Sequence, residues 1–236
     1  MIFDGHSDIF SDVRYKREAG ETQVLKNHHL DRLRKGGIGG ACFVIWADTY
    51  NGHAPKDEME AIVKGIKGEM AETKEFVLIH NVEELKAAEA AGKFAILLGI
   101  EGLAGIGEDL SKIDELYDLG ARHAMLTWNE ENALATGVKG DPNRGVTELG
   151  KQAIKKLQEK KMILDVSHIN EKSFWDVVDL ATGPILASHS NAKALASAAR
   201  NLTDDQLRAI RDTNGLVGLN AFGDFISDNK AEQDVD

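Results

Sequence analysis

The stretch Lys161-Met-Ile-Leu-Asp-Val-Ser-His168 is a short apolar run that ends in a histidine, and Gly183-Pro-Ile-Leu-Ala-Ser-His189 repeats this design after a helix-like segment. The two histidines lie 21 residues apart (168 to 189), which fits one βαβ unit. Consecutive strands of a parallel barrel lie side by side, so both imidazoles are expected at one rim, where the active sites of such folds gather. One strand-end histidine is more often structural, whereas two in equivalent positions favour a metal site.

Length and charge limit the class of protein. The 236 residues suffice for one large α/β domain, and the net charge of −11 argues against nucleic acid or an anionic membrane as a partner. No apolar run approaches the roughly 18 residues needed to span a bilayer, and the N-terminal residues lack the pattern of a signal peptide. The single cysteine, Cys42, lies in an apolar run and indicates a buried free thiol. A reducing cytoplasm is the simplest location for such a chain.

Short apolar runs alternate with helix-like stretches over most of the chain, which is typical of parallel α/β structure. Seven runs are predicted strands: Met1–His6, Gly40–Ala47, Phe94–Glu101, His123–Trp128, Met162–His168, Pro184–His189 and Leu216–Asn220. A minor apolar run, Phe76–Ile79, is not counted among them. Six stretches are predicted helices: Glu58–Thr73, Asn81–Ala91, Asp109–Leu119, Thr147–Lys160, Glu171–Ala181 and Asp204–Thr213.

We expect a (β/α)8 TIM-barrel-like fold of the metal-dependent hydrolase type, with strand eight missing from this chain. Residues 1–222 supply seven strands as a single, incomplete barrel domain. Residues 223–236 are acidic without an apolar period and are expected to form a disordered tail. Because an open barrel leaves strand edges unpaired, either the chain is a truncated copy of a longer protein or something else covers the gap, and a homo-oligomer is one way to cover it.

Three polar residues stand at the ends of other predicted strands. His6 and Asp8 point to the same side of an extended segment, so an imidazole and a carboxylate can reach one metal, although His-x-Asp alone occurs often by chance. Glu101 ends a very apolar run, where a half-buried carboxylate needs a partner. A metal, or a pair of metals bridged by its two oxygens, is one such partner. An exposed loop glutamate beside Gly102 is the alternative.

Residues that could bind a substrate follow the same strands. Trp128 and Asn129 end the fourth predicted strand, where they could line a pocket or merely cap the following turn. Arg200 follows His189 by eleven residues (189 to 200), and a guanidinium near a metal cleft suits a substrate carboxylate, which it can hold with two hydrogen bonds. A surface arginine paired with an aspartate of the 204–205 pair is at least as common.

Taken together, five potential ligands fall at predicted strand ends and suit zinc in a two-metal hydrolytic site: His6, Asp8, Glu101, His168 and His189. The other histidines lack this placement and are interpreted as structural or solvated. The Gly36-Gly-Ile-Gly-Gly40 stretch is not followed by Gly-Lys-Ser/Thr, which argues against a phosphate loop. The Gly-x-Ser-x-Gly pattern of a serine nucleophile does not occur either.

These residues together carry a specific resemblance. From about Ile2 to Asn220 the chain resembles the membrane (renal) dipeptidase family of zinc dipeptidases, in particular its soluble bacterial members. The resemblance rests on the order and spacing of six motifs: Asp4-Gly-His-Ser-Asp8, Gly99-Ile-Glu-Gly102, Leu126-Thr-Trp-Asn129, Asp165-Val-Ser-His168, Ser188-His-Ser190 and Arg200-Asn201.

The resemblance implies a (β/α)8 barrel with two Zn2+ ions per chain. By resemblance, His6 and Asp8 bind one zinc, His168 and His189 bind the other, and Glu101 bridges the two. It also implies that a hydroxide held between the metals attacks the peptide carbonyl of a dipeptide, often one with a C-terminal D-residue. The terminal carboxylate of that substrate is then expected to bind the arginine at position 200.

The chain departs from the family pattern in two places. Some members carry a histidine after Leu-Thr that helps to bind the substrate carbonyl, and this chain has Trp128 there. The family also has an aspartate at the end of strand eight that handles the proton during hydrolysis, and no residue of this chain can be named for that catalytic role. Losing a general acid or base typically costs on the order of 10²–10⁴ in rate.

Two other functions remain open. A non-catalytic binding protein would keep the metals and the Arg200 cleft without turnover, so zinc-loaded protein would bind a dipeptide and never cleave it. A different metal-dependent barrel hydrolase, such as a phosphoesterase or a deaminase, typically has His-x-His where this chain has His6-x-Asp8. Activity on phosphate esters but not on dipeptides would identify that class.

Overall fold

Parallel strands alternate with helices along the computed structural model of the protein, which describes residues 1–47 and 52–233. The chain divides into two compact units, Met1–His123 and Ala124–Asp236. Two four-stranded sheets are present, one formed within residues 2–101 and the other within residues 123–217. The predicted α/β class with parallel sheets is confirmed.

The first sheet has the strand order β1-β2-β4-β3. Its strands are β1 (Ile2–Ser7), β2 (Ile38–Trp46), β3 (Phe76–Leu78) and β4 (Phe94–Glu101). β2 and β4 pair from Gly40 opposite Ala95 to Trp46 opposite Glu101. The minor apolar run that the sequence analysis did not count forms β3, because its three residues pair with the beginning of β4. The described residues therefore contain eight strands, of which seven were predicted.

The described part of the first unit also contains five α-helices and two shorter helical turns. The α-helices are α1 (Ile9–Glu18), α2 (Asp31–Lys35), α3 (Pro55–Glu72), α4 (Val82–Ala90) and α5 (Lys112–Leu119). A π-helical turn, Leu25–Leu30, precedes α2, and a 3-10 turn, Ala104–Ile106, precedes α5. The sequence did not predict α1, because one of the three residues on its buried face is Arg14 and the apolar period is incomplete.

The interior of the first unit is formed by β2 and β4. The ring of Phe43 stacks on that of Phe94 with 5.5 Å between the centroids. Cys42 is 2% exposed and is a free thiol, as predicted. A Cβ at Gly99 would lie 2.6 Å from Nδ1 of His123 and 2.8 Å from Sγ of Cys42, so β4 requires a glycine at this position.

Buried ion pairs join α1 to α3. Arg14 Nη2 lies 3.1 Å from Glu58 Oε2, and both side chains are buried. One turn further along α1, Arg17 donates to Glu69 at 3.0 Å. Glu69 is fully buried and its other oxygen accepts a hydrogen bond from Leu25 N at 2.8 Å. These pairs satisfy charges that would otherwise be costly to bury.

The second sheet has the strand order β5-β6-β7-β8. Its strands are β5 (His123–Met125), β6 (Ile163–Asp165), β7 (Ile185–Ala187) and β8 (Leu216–Val217), and the helices that accompany them are α6 (Glu148–Glu159), α7 (Glu171–Leu180) and α8 (Asp204–Asp212). β6 and β7 both end earlier than predicted, two or three residues before their histidines. Within residues 218–233 the structure describes no strand.

Residues 223–233 contain a short helix, α9 (Gly223–Ile226), and a 3-10 turn, Lys230–Glu232. The backbone oxygen of Phe225 accepts hydrogen bonds from the side-chain amides of Asn191 at 3.0 Å and Asn201 at 2.9 Å. These contacts join the described part of the predicted tail to residues 191 and 201. Residues 234–236 lie outside the described residues, and the division into a 1–222 domain and a tail stays a prediction.

Candidate metal centre

The first group of candidate ligands lies at the C-terminal ends of β1 and β4. Nε2 of His6 lies 3.3 Å from Oε2 of Glu101 and 3.7 Å from Oδ1 of Asp8. The Glu101 side chain is 4% exposed and that of His6 is 9% exposed, whereas Asp8 is 52% exposed. His6 belongs to β1, whereas Asp8 follows the end of that strand as the N-cap residue of α1, with φ −87° and ψ 19°, and its carboxylate still lies near the imidazole.

The charges of this first group favour a cation. Burial by itself would lower the pKa of His6, but hydrogen bonds to Asp8 and Glu101 and the charges of both carboxylates raise the pKa of His6 to about 10. Although about half of the Asp8 side chain is exposed, the loss of hydration around its carboxylate raises the pKa of Asp8; the contact with His6 opposes this effect and the charge of Glu101 reinforces it. Two carboxylates that draw a proton onto an imidazole form an environment that also suits a metal cation.

The second group lies in the second unit, where His168 and His189 follow β6 and β7. Their Nε2 atoms face each other 2.7 Å apart, and their ring centroids are separated by 4.8 Å. Nδ1 of His168 lies 2.9 Å from Oδ1 of Asn129, and Nδ1 of His189 lies 2.9 Å from Oγ of Ser188. Each ring is therefore held at Nδ1 by a side-chain oxygen and directs Nε2 toward the other ring.

These contacts determine which nitrogen of each ring can bind a cation. The amide oxygen of Asn129 only accepts hydrogen bonds, so Nδ1 of His168 donates and Nε2 of the neutral ring carries the lone pair. The hydroxyl of Ser188 can donate or accept, so it permits either tautomer of His189. Without a cation, Nε2 of His189 donates to Nε2 of His168 across 2.7 Å and Ser188 donates to Nδ1 of His189. With a cation between the rings, Ser188 would accept from Nδ1 of His189 and both Nε2 atoms would present lone pairs to the cation. Hydrogen bonds of this kind orient the histidines of metal sites.

Arg200 and Trp128 lie beside this pair in the second unit. Arg200 is buried, with Nη2 3.2 Å from the backbone oxygen of His189 and Nη1 3.4 Å from Oγ of Ser190. The aspartates at 204 and 205 pair instead with the exposed Arg208, at 3.6 and 2.7 Å. The ring centroid of Trp128 lies 5.8 Å from that of His168.

The structure thus collects the predicted site residues into two groups. The first unit brings together His6, Asp8 and Glu101, and the second brings together Trp128, Asn129, His168, His189 and Arg200. Ser188 was not predicted, although the repeated Ser-His dipeptide is the sequence signal that could have indicated it. Asn129, a predicted substrate-binding residue, contacts a candidate ligand through its side chain, and its role toward a substrate stays a prediction.

Comparisons with known proteins agree on one protein family. The model of the family described as Membrane dipeptidase (Peptidase family M19) matches residues 1–235. An uncharacterised protein in the PQQ-III 3′ region of Acinetobacter calcoaceticus is 31% identical over 266 residues, which cover 99% of this chain and 84% of that protein. An uncharacterised dipeptidase, C965.12, of Schizosaccharomyces pombe is 29% identical over 250 residues, which cover 95% of this chain. This chain spans 60% of the length of the yeast protein, and 59% of a further relative from Klebsiella pneumoniae.

Solved structures of similar proteins point the same way. A metallopeptidase from Rhodobacter sphaeroides, liganded with a phosphinate mimic of the dipeptide L-Ala-D-Ala, matches with a TM-score of 0.87 and 26% identity over 99% of this chain and 77% of that one. Dipeptidase AC, a metallopeptidase of family M19, matches with a TM-score of 0.85 and 27% identity over 95% of this chain and 74% of that one. The predicted TIM-barrel-like α/β fold is therefore confirmed. Within the described ranges, none of the helices is long and apolar enough to cross a membrane.

Proposed function

Since the chain belongs to the membrane dipeptidase family (peptidase family M19), whose members are metal-dependent hydrolases of peptide bonds, we propose that it is a zinc dipeptidase. One observation supports this most directly. His168 and His189 direct their Nε2 atoms at each other across 2.7 Å, while Asn129 and Ser188 engage the Nδ1 atoms. Two rings oriented in this way are prepared to share one metal ion.

Two zinc ions per chain are proposed. His6 and Asp8 would hold one ion, His168 and His189 would hold the other, and Glu101 would serve both as a shared ligand. Imidazole nitrogens and carboxylate oxygens are donors that zinc accepts. The pKa of His6 supports a cation in the first group, because the carboxylates of Asp8 and Glu101 draw positive charge to that place. Bound zinc would polarise the peptide carbonyl and activate a water as the nucleophile at neutral pH.

The remaining residues of the second unit would position the substrate. The guanidinium of Arg200 is proposed to bind the terminal carboxylate of a dipeptide, for which its planar fork of donors is suited. Its contacts with Ser190 and the backbone of His189 would hold that fork beside the second metal. Trp128 and Asn129 are proposed to line the same pocket. The Rhodobacter sphaeroides relative, solved with its mimic of L-Ala-D-Ala, supports a dipeptide with a C-terminal D-residue as the substrate.

Location and assembly are also part of the proposal. We infer a cytoplasmic location from the single, buried, reduced Cys42. Self-association is inferred from β8, which pairs with β7 in the second sheet and stands at its end.

Elemental analysis of protein purified without chelator, together with hydrolysis of L-Ala-D-Ala and L-Ala-L-Ala, tests the function. Near two zinc ions per chain are expected, with fewer in His168→Ala and Glu101→Ala. His53→Ala serves as the control, because His53 is exposed and outside both groups. Two zinc ions retained in both ligand variants would overturn the metal assignment. Zinc-loaded protein that binds dipeptides without cleaving them would overturn the proposed catalysis alone.

A further inference from the structure

One carboxylate joins the two segments that carry the histidines of the second unit. Asp165 is the last residue of β6 and is 1% exposed. Its Oδ1 accepts a hydrogen bond from Ser167 N at 2.8 Å, and both of its oxygens lie 3.3 Å from Ser188 N. Ser167 and Ser188 directly precede His168 and His189. The same carboxylate therefore fixes the backbone immediately before each imidazole.

The Asp165 carboxylate accepts hydrogen bonds just beyond the point where the backbone pairing of β6 and β7 ends. The register of β6 and β7 ends with Asp165 opposite Leu186, and Val166 N still donates to Leu186 O at 2.8 Å. The next donors, Ser167 N and Ser188 N, belong to buried residues and require acceptors. Hydrogen bonds to an ionised carboxylate are stronger than those between neutral groups. Asp165 therefore extends the junction between the two chain segments beyond the end of the ladder.

The backbone of His168 needs such support. Its φ of 72° lies in the left-handed region, which is unfavourable for a residue with a Cβ. Conformations of this kind persist where the surrounding structure holds them. The bond from Ser167 N to Asp165 holds the chain on one side of His168, and the bond from Val138 N to the His168 oxygen, at 2.9 Å, holds it on the other.

We propose that Asp165 is a positioning residue for the metal site. Its carboxylate sets the separation and orientation of His168 and His189, so that both Nε2 atoms reach one cation. The oxygens of Asp165 face Ser167 N and Ser188 N, so the role proposed for it is to hold the backbone before each imidazole. This inference rests on the proposed function of the two histidines as zinc ligands.

The test compares Asp165→Ala and Asp165→Asn with Asp176→Asn in the full chain. Asp176 is a matched control, because its carboxylate accepts a hydrogen bond from Val146 N at 2.9 Å in the same unit but contacts neither histidine. Zinc affinity is measured by competition with a chromophoric chelator, and cobalt(II) serves as a spectroscopic probe of ligand geometry. In Asp165→Ala we expect one of the two ions to bind about 10–100-fold more weakly and the cobalt absorption bands to change. Asp165→Asn is expected to fall between alanine and wild type, since its amide oxygen can still accept from Ser167 N.

A second readout does not depend on metal. Amide hydrogen exchange at Ser167 and Ser188 in chelator-treated protein is expected to be faster in Asp165→Asn than in wild type and unchanged in Asp176→Asn. The inference would be overturned if both Asp165 variants matched wild type in zinc affinity, in cobalt spectrum and in amide exchange. Failure of the proposed function looks different, because His189→Ala would then leave the zinc content of the protein unchanged. In that case the two amides alone decide whether Asp165 positions the histidines.

Discussion

His6 couples the stability of the metal-free protein to pH. Its pKa is about 10 in the folded chain, against an ordinary value of 6.5 that applies to the unfolded chain, so the folded state binds the proton more tightly than the unfolded state does. The contribution of His6 to stability is therefore complete below pH 6.5 and is lost as the pH rises to about 10. In urea unfolding of chelator-treated protein, we expect wild type to lose more stability over this range than His6→Asn.

The exposed His53 provides the control for this measurement, since His53→Asn should follow wild type at every pH. Equal slopes of stability against pH in wild type and His6→Asn would contradict the assignment of this imidazole as a proton held by two carboxylates.

Arg200 is expected to act through the geometry of its side chain and not through its charge alone. In Arg200→Lys a single ammonium replaces the planar fork, so we expect the KM for a dipeptide to rise about tenfold or more while kcat changes less. Steady-state kinetics on L-Ala-D-Ala measures this, with zinc content determined on the same samples. Arg208→Lys, at an exposed arginine that pairs with Asp205, should leave KM unchanged. An unaltered KM in Arg200→Lys would argue against carboxylate binding at this residue.

At the scale of single residues, the sequence indicates candidate ligands but not the side chains that hold them in place. The five candidate ligands could be named because each follows an apolar run, which is a local pattern. Asn129 contacts a histidine 39 residues away, and Asp165 reaches a backbone donor 23 residues away. Such partners depend on how the strands end relative to each other, which no local pattern records.

The packing of α1 on α3 depends on a buried ion pair. Glu58→Ala would leave the buried Arg14 with only the exposed carboxylate of Glu18, 3.3 Å away, so we expect a loss of about 3 kcal/mol in the free energy of unfolding, the lower end of the range for breaking a buried pair. Urea unfolding of the metal-free protein measures the effect. The double variant Arg14→Met/Glu58→Leu should recover much of that loss, because two apolar side chains of similar volume remove both charges.

Glu60 on the same helix is the matched control. It is exposed and lies 3.9 Å from Lys56, so Glu60→Ala should change stability by less than about 1 kcal/mol. Equal losses at the two glutamates would show that burial of the Arg14 pair does not control this junction.

At the scale of elements, capping residues made the helices predictable. α7 and α8 begin at their predicted residues, and α4 and α6 begin one residue after theirs. The residue before each helix accepts a hydrogen bond from the first turn: Asn81, Thr147, Asn170 and Thr203. α1 has no such side-chain cap and carries an arginine on its buried face. Its sequence therefore shows neither a helix start signal nor a regular apolar period, and the helix could not be predicted. The short β3 was passed over since three residues are too few to show a period.

For the molecule as a whole, the end of the second sheet is expected to govern association. Leu216, Leu219 and Phe222 are exposed around β8, and Leu219 is 85% exposed. An apolar strand at a sheet end favours pairing with another chain, so we expect wild type to associate as its concentration rises and Leu219→Lys to associate less. Light scattering over a concentration series measures this.

Val82→Lys introduces the same charge at an exposed apolar residue of the first unit and should leave association unchanged. If wild type stayed monomeric throughout the series, the expectation that β8 forms an interface between chains would be wrong.

The buried thiol of Cys42 allows local opening of the first sheet to be measured. Cys42 is the one thiol of the chain, belongs to β2, is 2% exposed and lies next to Gly99 of β4. It can therefore react with an alkylating reagent only after that part of the sheet has opened. The labelling rate under native conditions therefore counts opening events of the sheet that carries Glu101. A cation held by Glu101 and the ligands at the end of β1 would make such opening rarer and would therefore slow the alkylation of Cys42. Mass spectrometry measures this effect as the time that the protein takes to gain a single label.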